Sequence, residues 1–298
     1  MKKNYALFIS MIGPEERVLG FFKEPDKPEM DNYLFLINEE YKDDPRVLKY
    51  ESEIEGFLKG KKKDTLITSY SDSMKLVKEL NQYVLKNKIE MNLLNIYLDL
   101  STFNRQNLLT LLFLLRRKYS VSNIGCYYTV PVDTNKDISK CAHNAATVPF
   151  FGGEQSIDKN KLLILFVGFE YDRAVYLWEK VEPSKTILAV GDEPTDAKFL
   201  KKNLEVIASL KQRITDAEEV KVSAKDPYKA KQNIEGIISG NIENYNIIAS
   251  PMNTKLQTLG LYLAWENFPQ VQIAYTCPEC FGDWLSKGIE RTDYFQIK

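Results

Sequence analysis

The sequence is poor in the side chains that most chemistry uses. It holds one histidine, His143, so neither a nucleophile–histidine relay with a spare base nor a multi-histidine metal site has material to be built from. It holds four cysteines, Cys126, Cys141, Cys277 and Cys280, and one CxxC among them, Cys277-Pro278-Glu279-Cys280. Four thiolates would hold a zinc only if distant strand ends met, and the CxxC does not open a thioredoxin-like unit, so neither a metal nor a redox role is expected. Net charge is lacking too: 40 basic and 41 acidic residues leave −1, which excludes a large basic surface for duplex DNA but not a local basic pocket. No apolar run approaches the ~20 residues of a membrane span. The apolar run near the start is short and leads into Gly13-Pro14-Glu15-Glu16, so a signal peptide is not expected. The expected compartment is the cytoplasm, where the thiols stay reduced. There is no GxGxxG, so no dinucleotide cofactor is expected.

What remains is an ordinary globular composition, 44% apolar and 27% charged, over 298 residues, enough for two average cores. The most informative stretch runs from Asn246 to Phe281. Ile247 and Ile248 read as a buried strand, and Ser250-Pro251-Met252-Asn253-Thr254 as a small polar loop. Lys255 to Asn267 follows with Leu256, Leu259, Tyr262 and Leu263 at helical spacing, and Val271 to Tyr275 reads as the next strand. Residues 94–129 have the same rhythm. An ungapped overlay sets Arg105 on Lys255, an offset of 150. Tyr128 falls on Tyr275 after a three-residue length change.

The whole chain supports this duplication. Strands are expected at Tyr5–Ile12, Tyr33–Ile37, Asp64–Tyr70, Asn95–Leu100 and Ile124–Val130, with helices between them. A second set is expected at Leu162–Val167, Thr186–Val190 and Val220–Ser223, closed by the stretch above. Arg17 and Arg173 fall in the first turn after the first strand of each set. Ser69-Tyr70-Ser71-Asp72 and Ser223-Ala224-Lys225-Asp226 both end the third strand. The expected fold is α/β: two Rossmann-like domains with parallel sheets, 1–130 and 161–298, joined by a polar linker at 131–160. Ligands of such sheets bind beyond the carboxyl ends of the strands, and two copies would bring two such rims into one pocket.

The candidate ligand residues lie on those rims. Thr102, Asn104 and Arg105 follow one fourth strand, and Asn253, Thr254 and Lys255 the other. A cation at a helix start opposes the helix dipole, and an anionic ligand would resolve the conflict; solvated cations beside ordinary caps are the plainer alternative. Gly168, Glu170 and Arg173, with Arg17 in the other half, form a second candidate: glycine admits close approach, arginine neutralises phosphate, and the acids serve as helix caps in the plainer view. Phe150-Phe151-Gly152-Gly153 reads either as a lid or as a pin into the second core. His143 beside Cys141 has no geometric support as a catalytic pair.

The strand–SPMNTK–helix unit resembles the fourth-strand motif of CARF domains, Rossmann-like sensors associated with CRISPR systems. Thr254 and Lys255 match the family's Thr-Lys pair, and Thr102, Asn104 and Arg105 match it more weakly. The Gly168–Arg173 turn is similar to the family's first-strand loop. Two such units in one chain resemble the SAVED arrangement. The resemblance implies a cyclic oligonucleotide ligand, a protein effector partner and a place in prokaryotic antiviral defence. The expected function is a nucleotide-type sensor or regulatory subunit without catalytic residues, with a homo-oligomer among the expected assemblies. A nucleotide or phosphate-ester hydrolase using Asp72, Glu170, Asp172 or Asp226 is the alternative, and a scaffold subunit without a small ligand is the other.

Overall fold

The computed structural model describes residues 5–135, 139–192, 197–282 and 284–298. In chain order the elements are β1 (Ala6–Met11), a 3-10 turn Glu16–Leu19, α1 (Gly20–Lys23), β2 (Asn32–Asn38), α2 (Pro45–Leu58), β3 (Lys62–Thr68), α3 (Ser73–Asn87), β4 (Asn95–Asp99), α4 (Arg105–Phe113) and β5 (Ile124–Val130). Then come β6 (Asp133–Thr134), β7 (Ser139–Thr147), β8 (Asn160–Phe166), α5 (Tyr171–Val181), β9 (Lys185–Gly191), α6 (Ala197–Arg213), β10 (Glu218–Val222) and α7 (Pro227–Ser239). The chain closes with β11 (Tyr245–Pro251), α8 (Lys255–Trp265), β12 (Gln272–Phe281), β13 (Ser286–Lys287) and β14 (Arg291–Ile297).

The chain divides into two compact units, Met1–Asn135 with Trp284–Lys298, and Lys136–Asp283. The first unit's sheet has the order β14-β5-β4-β1-β2-β3. Five strands are parallel, and β14 is antiparallel to β5, with Arg291 opposite Val130 and Ile297 opposite Ile124. The second unit's sheet has the order β10-β9-β8-β11-β12-β7, again five parallel strands and one antiparallel edge. Both are α/β sheets of the Rossmann-like kind, with the order reversing between β1 and β4 and between β8 and β11.

The central strands form because their side chains are apolar on both faces. Every residue of β1 is buried, and so is the Leu162–Phe166 run of β8, as a parallel sheet covered on both sides requires. The edge strands differ: β3 and β10 open with Lys62-Lys63-Asp64 and Glu218-Glu219, charges that discourage further pairing. In the first unit the α1 face of the sheet is aromatic. Phe8 stacks on Phe21 at 4.1 Å, with Phe22, Tyr33 and Phe35 around them. In the second unit α8 is buried at all positions from Leu256 to Trp265. Gly260 lets it lie hard against α7: a Cβ there would sit 2.6 Å from that of Ala230.

Two boundaries differ from the sequence expectation. The segment expected as a linker carries β7, whose Ser139–Thr147 run pairs with β12, so most of it belongs to the second unit. Phe151 is fully buried against Trp265, with ring centroids 4.6 Å apart, which is the pinning alternative. The last residues, expected in the second domain, supply β14 to the first sheet. Both strands lie at sheet edges and are rich in polar and small residues, so they lack the apolar run that marks a central strand.

Candidate functional site

In each unit the fourth-strand loop leads into a helix whose first residue is a cation and whose first turn has no acid. These are Arg105 in α4 and Lys255 in α8, both half-buried. Asn104 caps α4 by accepting from the Asn107 N–H at 2.7 Å. Thr254 caps α8 by accepting from the Gln257 N–H at 3.1 Å. Each cap satisfies one of the amides that a helix start leaves outside its own ladder.

Each helix start is tied to a second one. Asn107 is fully buried and donates through Nδ2 to the Ser69 carbonyl at 2.9 Å, at the β3–α3 turn. Gln257, also buried, donates through Nε2 to the Val222 carbonyl at 3.0 Å, at the β10–α7 turn. The neighbouring helices start alike. Asp72 accepts from the Met74 N–H at 2.9 Å, and Asp226 accepts from the Tyr228 N–H at 2.8 Å. Ahead of each aspartate a serine accepts its N–H: Ser69 for Asp72 at 3.3 Å and Ser223 for Asp226 at 3.2 Å. Two positive dipole ends therefore lie side by side on each sheet's carboxyl rim, beside one cation. The third helical position carries the tie in both units, a polar side chain where the periodicity calls for an apolar one. That is the signal by which Asn107 and Gln257 stand out in the sequence.

The loop after the first strand is built differently from its expected role. Glu15 and Glu170 each lie two residues after a glycine, Gly13 and Gly168, and each pairs with a buried arginine. Arg17 lies 2.8 Å from Glu15, and Arg173 pairs with Glu170 with both side chains almost wholly buried. Arg173 Nε donates to the Thr276 carbonyl at 2.8 Å, and its guanidinium lies 4.9 Å from the centre of the Tyr275 ring. Arg17 faces Tyr128 in the same way at 6.0 Å. A serine completes each clasp: Ser286 donates to Glu15 and Ser139 to Glu170. Burial alone would lower the Arg173 pKa, but Glu170 and Tyr275 outweigh it, so the net shift is upward and the guanidinium stays charged.

Several expected ligand contacts are therefore engaged inside the protein. Arg17 and Arg173, expected to neutralise phosphate, are 6% and 2% exposed and already face carboxylates. Glu170 is the partner of Arg173 rather than a helix cap facing solvent. Gly168 does admit a close approach, but of the chain itself: a Cβ there would sit 2.0 Å from the Met252 carbonyl oxygen. Thr102 is buried and gives its hydroxyl hydrogen to the Met11 carbonyl. Thr254 gives its own to the Ala224 carbonyl at 3.0 Å. Arg105, Lys255 and Asn253 stay half-buried on the rims, and Asn104 keeps an amide nitrogen outside its capping bond.

Sequence reasoning missed Asp99. It ends β4 beside Ser10 and is fully buried. It accepts from the Ser101 N–H at 2.9 Å, from the Ser101 hydroxyl at 2.5 Å and from the Ser10 hydroxyl at 3.2 Å. Burial outweighs these bonds and holds its carboxyl up at about 6. An acid with a raised folded-state pKa binds more protons when folded, so its ionisation destabilises the fold. That cost is complete above about pH 6, declines as the pH falls, and vanishes below the ordinary value of 3.8. Asp99→Asn removes the titration while keeping the shape. Its stability relative to wild type should rise by about 3 kcal/mol between pH 3.5 and pH 7.5. Urea unfolding at the two pH values measures this, and any constant cost of the amide cancels in the difference. A flat difference would contradict the raised pKa.

Among the described residues no group of three or more His, Cys, Asp or Glu gathers as a metal site, and no helix is long and apolar enough to cross a membrane. Burial pushes the Cys126 thiol pKa up, so the thiolate is disfavoured. The sequence matches no protein-family model. It matches no curated protein. Solved structures similar to it include the cytoplasmic domain of a prokaryotic cation chloride cotransporter, at 12% identity over 92% of this chain and 96% of that one, with a TM-score of 0.28.

Proposed function

We propose that this chain is a binding module for nucleotide-like anions, with one site at the start of α4 in the first unit and one at the start of α8 in the second, and that it serves as a sensor or regulatory subunit. The observation that carries this reading is the paired helix start on each carboxyl rim, with a cation as first residue and no acid in the first turn. Capping chemistry places acids or neutral residues there, not Arg105 and Lys255. A phosphate accepts from helix-start amides and neutralises the cation at once. The correspondences between the units support descent from one duplicated ancestor: strand order, caps, amide ties and Glu–Arg clasps.

The resemblance of Thr254-Lys255 to the CARF Thr-Lys pair favours a cyclic oligonucleotide as the ligand. It also favours a cytoplasmic role in prokaryotic antiviral defence, with a protein effector as partner. Arg105, Lys255 and Asn253 are the residues assigned to the ligand. Any response relayed to the effector is limited by the ligand's difference in affinity for the two states.

Charge reversal tests the assignment. Lys255→Glu and Arg105→Glu should each weaken binding of a cyclic oligonucleotide at the rim that carries the change by about 10- to 100-fold, the scale of a lost charge-assisted contact. The wild-type affinity should fall as salt rises from about 50 to 300 mM. Affinity unchanged in both variants would refute the assignment. Turnover of the titrated nucleotide would move the reading to a hydrolase.

A further inference from the structure

The second unit carries an apolar stripe outside the rim. Helix α6 connects β9 to β10, the edge strand of its sheet, so it is the outermost helix on its face. Asn203, Ile207 and Leu210 turn inward and are buried. Leu200, Leu204 and Ala208 run beside them at four-residue intervals, with Leu204 46% exposed. These three line a shallow open depression together with Lys201 and Glu205. A leucine that exposed in a charged helix is ordinary alone; here it stands in an apolar stripe between Leu200 and Ala208.

Charge indicates what covers it. Lys201 and Glu205 form the next ridge of the same helix, one turn apart and of opposite sign, and both are exposed. Neither forms an ion pair among the described residues. When two identical helices cross with their four-residue ridges interdigitated, each Leu200–Leu204–Ala208 ridge fits beside the Lys201–Glu205 ridge of the other. A two-fold axis then sets Lys201 of each copy near Glu205 of its mate. A surface that presents both signs in this order complements itself, which is what a closed two-fold contact requires. We propose that the Leu200–Leu204–Ala208 face of α6 is a docking surface for α6 of a second copy of this chain, which makes the protein a homodimer.

Sedimentation velocity of the full chain from about 1 to 100 µM tests this, a range that brackets modest interfaces. The wild type should pass from monomer to dimer. Leu204→Glu, at an exposed position, should sediment as a monomer throughout with an unchanged melting temperature. Lys201→Glu and Glu205→Lys should each weaken the dimer by about three- to tenfold, and combining them should restore it to within about threefold, because the pair is exchanged across the axis. A wild type that stays monomeric to the highest concentration overturns the proposal. So does a dimer that survives Leu204→Glu, or one whose double charge exchange is no better than the single changes.

Discussion

Arg173→Ala is expected to lower the unfolding free energy by about 3–5 kcal/mol, the largest loss foreseen for a single side chain here. The magnitude follows from what is left behind. Glu170 is buried beside Ser139, and without Arg173 its carboxylate loses the cation it is paired with. The Thr276 carbonyl also loses the Nε donor that reaches it at 2.8 Å. Removing both charges at once is far milder, because no uncompensated ion remains. Arg173→Met with Glu170→Gln should therefore recover more than half of the loss. Urea unfolding followed by tryptophan fluorescence gives the measurement, since Trp178 and Trp265 both lie in the second unit. A loss under about 1 kcal/mol for Arg173→Ala would place the pair in the class of exposed ion pairs and contradict its burial.

Gly168→Ala is expected to cost about 3 kcal/mol or more, whereas Gly13→Ala should cost under about 1 kcal/mol. The two glycines occupy corresponding turns, yet their surroundings differ. A methyl at Gly168 would lie 2.0 Å from the Met252 carbonyl oxygen and 3.0 Å from its carbon, both backbone atoms that rotamer changes cannot move. At Gly13 the nearest atom is the Thr102 Cβ at 3.5 Å, an ordinary contact. Melting temperatures of the two variants give the comparison. Equal losses would mean that the loops after β8 and β11 do not approach as described.

The contrast between these glycines also shows what a sequence can and cannot reveal. Their shared position is legible, because each follows an apolar strand and precedes a Glu and an Arg. The nearness of Met252 is not, because it depends on which loop lies across the turn. The same holds for the arginines. Their spacing marked them as a matched pair, but a guanidinium that binds phosphate and one that binds a buried glutamate look alike in one dimension. The partners that decide the matter are distant in the chain: Thr276 lies 103 residues from Arg173, next to Tyr275, and Ser139 lies 31 residues from Glu170.

The fold itself was easier to read. Ala6–Met11 and Asn160–Phe166 declare themselves by apolar runs, and Asp72 and Asp226 by capping chemistry ahead of periodic helices. The edge strands β7 and β14 did not, because a strand with one neighbour need not be apolar. The ungapped overlay matched Asn104 with Thr254 and Arg105 with Lys255, and these are the caps and first residues of α4 and α8. It does not match the strands. Asp99 stands opposite Ser10, one residue before the end of β1, whereas Ala249 stands opposite Ile164, two before the end of β8. One residue of loop length separates the two registers.

Each rim is proposed to hold a nucleotide-like anion. Isothermal titration of the purified, folded chain with a panel of cyclic oligonucleotides and linear mononucleotides tests it most directly. Saturable heat is expected for at least one member of the panel, abolished when Arg105 and Lys255 are both reversed to glutamate. Heats of dilution alone across the whole panel, or binding indifferent to that double reversal, would contradict it.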